Sequence, residues 1–538
     1  MHALTVVLLA AVQTAAPGDT VPLYDDLGDH HYAITTSVPA AQSYFDQGLR
    51  LYYAFNHAEA VRSFREAQRR DPDCAMCWWG EALAWGPNIN LPMDSASGVA
   101  AHAALQGALE RIDQTTRKEA ALIDALAGRY EAVPPPDRAP LDSAYARAMA
   151  AVAADYPDDI EATVLYAESE MDLRPWDYWT PARTPAGGMA TALSHLERAI
   201  DADDQHPGAC HFFIHAVEAV YPERAVECAE RLAGLMPGAG HLVHMPGHIY
   251  IRVGRYMDAV EANHHAVHAD ETYIRDQRPG VGMYTAGYYP HNYDFLSFAE
   301  SMTGRSDEAM AAAEKLAELV PSEMLGQPGM GFLQHWRARP LQMAIRYGRW
   351  DHILAQPAPD PAHRHTRAMW HYARGRALAA TGDAEAAGRE LEALREIASD
   401  PARKDHRLEF NTSADVLVIG VEVLAGKIAL ARGDEEAALR HLRQAVANED
   451  ALLYGEPPEW SVPTRQDLGA ALLAADRPAE AEEVFRQDLE RFRENGWSLT
   501  GLAGAVRAQG RTEEAAKLEA RRDAAWAHAS VAVDTPVF

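Results

Sequence analysis

Two short runs of the chain concentrate side chains of the kind that hold metal ions. In His-Phe-Phe-Ile-His-Ala-Val-Glu, His211, His215 and Glu218 stand at i, i+4 and i+7. In His-Leu-Val-His-Met-Pro-Gly-His, His241, His244 and His248 stand at i, i+3 and i+7. On a helix each set forms one stripe on one face. Two imidazoles at i, i+4 on one helix are a known pair of zinc ligands. Ten of the 24 histidines fall between His195 and His268. Of these, His264, His265 and His268 point different ways on one helix, so ordinary polar surface or core roles are expected for them. The donors exceed what one tetrahedral ion needs. They fit a dinuclear centre, or one ion whose ligands are oriented by further histidines. Imidazole-rich, thiolate-free ligation suits Cu, Zn, Fe or Ni. Glu218 is a candidate ligand or general base, and is the candidate catalytic residue.

Other chemistries lack their residues. The chain has no Ser-His-Asp elbow, phosphate loop, dinucleotide fingerprint or His-Glu-x-x-His. Cys74 and Cys77 form one C-x-x-C at an expected helix start, with no second such pair, and are read as packed or oxidised. Cys210 and Cys228 fall on neighbouring helices and can pair in an oxidising compartment.

The elements that must position the histidines are helices. Alanine is abundant, and Val, Ile and Thr never dominate a long stretch, which argues for an all-α fold. A chain of 538 residues is too long for one compact core, so several domains or a repeat array are expected. An internal repeat is present. Gly48, Ala60, Phe64, Ala67 and Pro72 carry its first clear unit, and Trp78 and Ala82 begin the next. Gly-x-x-x-x-Ala turns recur at Gly254 to Ala259, Gly304 to Ala309, Gly433 to Ala438 and Gly510 to Ala515, with weaker forms at Gly348 and Gly382. A small residue lets paired helices approach, and glycine at the turn permits a left-handed helix ending.

This pattern resembles the 34-residue tetratricopeptide repeat, in about nine units from Ala41 to the C-terminus, and the chain is similar to bacterial exported proteins of that type. The resemblance implies an all-α, right-handed superhelical α-solenoid of helix-turn-helix units. It also implies that certain positions of each unit's first helix line a concave groove. Counted back from Gly254, His241, His244 and His248 take such positions, as His211, His215 and Glu218 do one unit earlier. His291 and Asp294 follow in the next unit and His335 in the one after. The metal candidates are therefore His211, His215, His241, His244, His248 and His291. Asp294 and His335 are candidates for substrate contact, together with Asn88 and Asn90, which lie among Tyr52, Tyr53, Phe55, Trp78, Trp79 and Trp85. Pro246 either kinks the second stripe or marks a loop before a helix that starts near Gly247.

Apolar residues make up 48% and charged residues 24%, with a net charge of −29. Such a surface repels phosphate backbones and anionic lipid, so no nucleic-acid partner is expected. Leu4 to Val12 is an apolar run too short to span a bilayer, followed by small residues at Thr14 to Ala16, and reads as a secretory signal. The expected organisation is a signal over 1–16, an extension over 17–40, and the solenoid over 41–538 with its His-rich units at about 205–305. The expected location is periplasmic or secreted. Loops are expected at Val133 to Pro136, Pro175 to Pro185, Gln277 to Pro290, Pro321 to Gly331 and Gln356 to Pro361. Three functions fit these residues: a metal-dependent oxidoreductase or hydrolase acting on a small or extended ligand in the groove, a peptide- or protein-binding scaffold of the cell envelope, or a metal carrier without catalysis.

Overall fold

The computed structural model describes residues 21–532 and 535–538, so the expected signal segment lies outside the described residues. The described residues form 26 α-helices with short 3₁₀ and π turns, and no β-strand. The fold is the all-α array of tetratricopeptide-like helix pairs. No helix among the described residues is long and apolar enough to cross a membrane.

Two compact units are present. Among the described residues, the first comprises 21–249 and 265–285, the second 250–264, 286–532 and 535–538. The first helix of the first unit, Pro39–Tyr53, pairs with His57–Arg70. The Asn56 side chain caps the second helix through Glu59 N. Residues 21–38, before the first helix, are not free chain. Tyr24 N donates to Gln47 Oε1 at 2.8 Å, and Thr35 N and Oγ1 both donate to Glu119 at 2.6 Å.

The packing explains the repeat's small residues. A Cβ on Gly48 would lie 2.7 Å from the Phe64 ring, and one on Gly80 would lie 2.3 Å from it. The second unit repeats the spacing, with Gly469 and Gly501 closing on Phe485 at 2.4 and 2.1 Å. Each aromatic ring thus fills space that two glycines leave open. Gly254, Gly304, Gly348, Gly382, Gly433 and Gly510 all adopt positive φ, between 61° and 93°, as turns of this kind require. The alanines that follow them, Ala259, Ala309, Ala387, Ala438 and Ala515, are fully buried.

The expected connector from Gln277 to Pro290 is shorter than the sequence suggested. Tyr284–Tyr288 forms a π turn that runs into the helix Tyr289–Met302.

Candidate metal centre

His211 and His215 lie on the helix Pro207–Val217, with Glu218 at its C-cap. Proline at its first position has no N–H to leave unsatisfied, and His206 caps it, Nδ1 accepting from Ala209 N at 3.1 Å. Gly208 lets the Tyr53 ring lie against the helix start, where a Cβ would come within 2.3 Å of that ring. A disulfide joins Cys210 to Cys228 on the next helix, Val226–Leu235. Cys74 and Cys77 are also joined.

The second stripe is a broken helix. Gly240–His244 is followed by Met245 and then by Pro246–Val253. Pro246 has no N–H for the carbonyl four residues back, so the helix bends there. Of the two alternatives at Pro246, the structure shows the kink. The bend sets His244 Nε2 2.9 Å from His248 Nε2.

All five histidines of the two stripes are buried, none more than 4% exposed. Their rings form a contiguous group. Centroid separations are 4.9 Å for His211 to His215, 5.0 Å for His211 to His241, 5.5 Å for His215 to His248 and 4.8 Å for His244 to His248. His211 Nε2 lies 3.2 Å from His241 Nε2. One ring nitrogen each from His211, His215 and His241 lies within 4.8 Å of the others.

Three of the rings are oriented through Nδ1. His211 Nδ1 donates to the Tyr53 carbonyl at 2.7 Å. Glu218 Oε1 faces His215 Nδ1 at 3.4 Å, and its Oε2 forms an ion-pair contact with His248 Nδ1 at 2.9 Å. With the Nδ1 protons so placed, the Nε2 lone pairs face into the cluster. This is how metal-binding histidines are held. Burial lowers the affinity of His211, His215 and His241 for a second proton, and neighbouring imidazoles lower that of His211 and His241 further. Burial alone would raise the Glu218 carboxyl, but His248 and His215 outweigh it and hold it down to about 2.

Aromatic rings wall the cluster. Phe55 stacks on His241 at 5.2 Å and on His215 at 6.2 Å. The Trp176 edge meets His215 at 5.1 Å. Both residues have positive φ, 55° and 66°. Bulky side chains rarely adopt that region, at a cost of about 1–3 kcal/mol, and such strain gathers at functional sites. Beside the centre, His30 Nε2 and His206 Nε2 lie 2.6 and 3.5 Å from Glu161 Oε1, and the Tyr53 hydroxyl donates to the same carboxylate. His206 spends its Nδ1 lone pair on the helix cap, so its Nε2 carries the proton. This neighbouring group supports Tyr53 through Glu161.

The other candidates are placed differently from the sequence expectation. Asn88 Oδ1 accepts from Asn90 N and Leu91 N at 2.9 and 3.0 Å, and Asn90 Oδ1 accepts from Trp176 Nε1 at 3.1 Å. Their carbonyl oxygens hold the loop and Trp176 rather than facing a groove ligand. In the second unit Asp294 pairs with Arg339 at 2.6 Å, both buried. His335 lies between His365 Nε2 at 3.0 Å and the Glu459 carbonyl at 2.8 Å. Both residues therefore take part in internal networks of the second unit. His291, also in that unit, is half-buried against Phe295 at 5.0 Å. His264, His265 and His268 are exposed. The orienting roles of Tyr53, Phe55 and Trp176 escaped the sequence reading. The only signal was that aromatic residues crowd those segments.

No protein-family model matches the chain, and no curated protein does. Among solved structures, a human IFIT1 dimer with m7Gppp-AAAA is similar over 91% of this chain and 91% of its own, at 13% identity and a TM-score of 0.34. An IFIT1 monomeric mutant with Gppp-AAAA is similar over 94% of this chain and 96% of its own, at 13% identity and a TM-score of 0.32. Likeness at that level carries no argument about ligand or activity.

Proposed function

We propose that the first unit is built around a transition-metal centre of imidazole ligands, and that the protein is a metal-dependent enzyme. One observation carries the metal reading. His215 gives its Nδ1 proton to Glu218, and its buried Nε2 has no hydrogen-bond partner. A buried lone pair without a donor costs about 1–3 kcal/mol, and a cation removes that cost. Nitrogens of His211 and His241 stand within 4.8 Å to share the ion. His244 and His248 supply two further nitrogens, more than a single tetrahedral ion takes, which supports a dinuclear centre of Cu, Zn or Fe. The repeat register supports a ligand role for His291.

Glu218 is then a positioning residue rather than the general base. Its oxygens face Nδ1 of His215 at 3.4 Å and Nδ1 of His248 at 2.9 Å, so moving the carboxylate would release both rings. Catalysis is supported by the walls of the site: a desolvated, aromatic-lined centre with strained backbone at Phe55 and Trp176 is costly for a mere scaffold. The net charge of −29 weighs against nucleic acid as a partner. Two disulfides and the apolar run from Leu4 to Val12 support export to an oxidising compartment.

The test is titration of metal-free protein with Co(II), read by its visible spectrum. Saturation at one or two ions per chain, with nitrogen-type bands and no sulfur charge transfer, is expected. Absence of uptake would sink the metal centre and leave the scaffold reading. Turnover by the loaded protein on a substrate panel then separates an enzyme from a carrier.

A further inference from the structure

The segment Leu452 to Trp460 is the wall of a cavity of about 190 Å³ within the second unit. Phe298, Tyr454, Trp460 and Phe492 supply its apolar surface. Arg252 and Arg491 supply its positive charge. We propose that this cavity binds a small organic carboxylate with an apolar body, independently of the metal centre.

Two donors of the lining are at most loosely engaged within the protein. The Trp460 ring is buried, and its indole N–H meets no acceptor. Arg491 makes no close ion pair. It lies 3.5 Å from Glu449 and 3.8 Å from Asp450. Both carboxylates have nearer partners: Glu449 takes Thr464 N and Oγ1 at 2.8 and 2.6 Å, and Asp450 takes the Arg465 fork at 2.7 Å on each oxygen. Two further acids belong to the lining. Glu456 lies 3.4 Å from Arg252, and Glu459 accepts from the Asn411 side chain.

A guanidinium and an indole N–H, both beside apolar rings, match a ligand that brings acceptor oxygens at one end and a hydrocarbon at the other. The guanidinium of Arg491 lies 5.3 Å over Phe492 and that of Arg252 lies 5.4 Å over Tyr454, so both cations rest on ring faces while their N–H edges remain directional. A carboxylate suits the planar fork better than a point anion does. A neutral amide of the same shape loses the charge, and an amine meets only repulsion from the guanidinium groups.

The probes are benzoate, phenylacetate and 3-phenylpropionate, each compared with its amide and with the corresponding amine. Binding to the full chain is read by ligand-observed NMR and calorimetry. At least one carboxylate is expected to bind, with its amide at least about tenfold weaker and its amine silent. Arg491→Met is expected to weaken the carboxylate about tenfold or more, and Trp460→Phe by several fold, with melting temperatures near wild type. Should Trp460→Phe unfold the chain, the half-exposed Arg491 still decides. Failure of all three carboxylates, equal binding of an amide, or full binding by Arg491→Met would overturn the proposal. Loss of metal from the first unit would leave these results unchanged, so the two readings fail separately.

Discussion

Glu218 places Oε2 2.9 Å from Nδ1 of His248, on a helix that lies beyond a disulfide-linked helix in the chain. The same carboxylate orients His215. In the proposed centre, a carboxylate that holds two imidazoles acts on metal affinity through their geometry. Glu218→Gln is expected to lower metal affinity about 10- to 100-fold while leaving stoichiometry unchanged. Competition titration against a chelator of known affinity measures it. Complete loss of one ion per chain would make Glu218 a ligand instead.

The disulfide of Cys210 and Cys228 anchors the helix that carries His211 and His215. The bond closes a loop with a sequence separation of 18. Cys210→Ser with Cys228→Ser should therefore cost about 3 kcal/mol of stability. Denaturant melts of metal-free protein check this, and an unchanged midpoint would mean that the pair is not oxidised in the native protein.

A buried pair of carboxylates gives the first unit a pH signature. The Tyr52 hydroxyl donates to both oxygens of Glu168 at 2.6 and 2.7 Å, and Arg129 pairs with Asp172 at 2.6 Å. Burial pushes Glu168 up to about 8, with Asp172 adding to it. Burial likewise pushes Asp172 up to about 7 against the pull of Arg129. Unfolded carboxyls ionise near about 4. Between that value and the folded range the native state holds more protons than the unfolded chain, so stability falls as pH rises. The slope should reach about 1.4 kcal/mol per pH unit for each retained proton. Glu168→Gln, which keeps an acceptor for Tyr52, should flatten it. Melts from pH 5 to pH 8 with equal slopes for both proteins would contradict this.

The repeat register was legible because it rests on local rules. Gly382 and Gly433 need left-handed backbone whatever surrounds them, and Ala259 must be small wherever a partner helix packs. Gly469→Ala and Gly80→Ala should each cost about 1–3 kcal/mol by pushing on Phe485 or Phe64. Wild-type melting temperatures in both would show the packing to be wrong.

The site was legible only as far as helical spacing reaches. His211 and His215 share a face by periodicity, and so do His241 and His244. That His248 joins them depends on the bend at Pro246, which the sequence left open between a kink and a loop. Asp294 and His335 show what spacing leaves out. Their register was read correctly enough to place them on successive helices, but buried partners such as Arg339 and His365 come from distant segments that no spacing rule reveals. Tyr53 orients His211 through a backbone carbonyl, which carries no sequence signature at all.

The most direct measurement is elemental analysis of untagged protein, made on wild type and on His215→Ala, His244→Ala and His291→Ala, with His264→Ala and His265→Ala as exposed controls. The account predicts one or two transition-metal ions per wild-type chain, a loss of at least one ion in His215→Ala and in His244→Ala, and wild-type content in both controls. Metal-free wild type that takes up no ion on reconstitution, or equal losses in the controls and the buried variants, would contradict it.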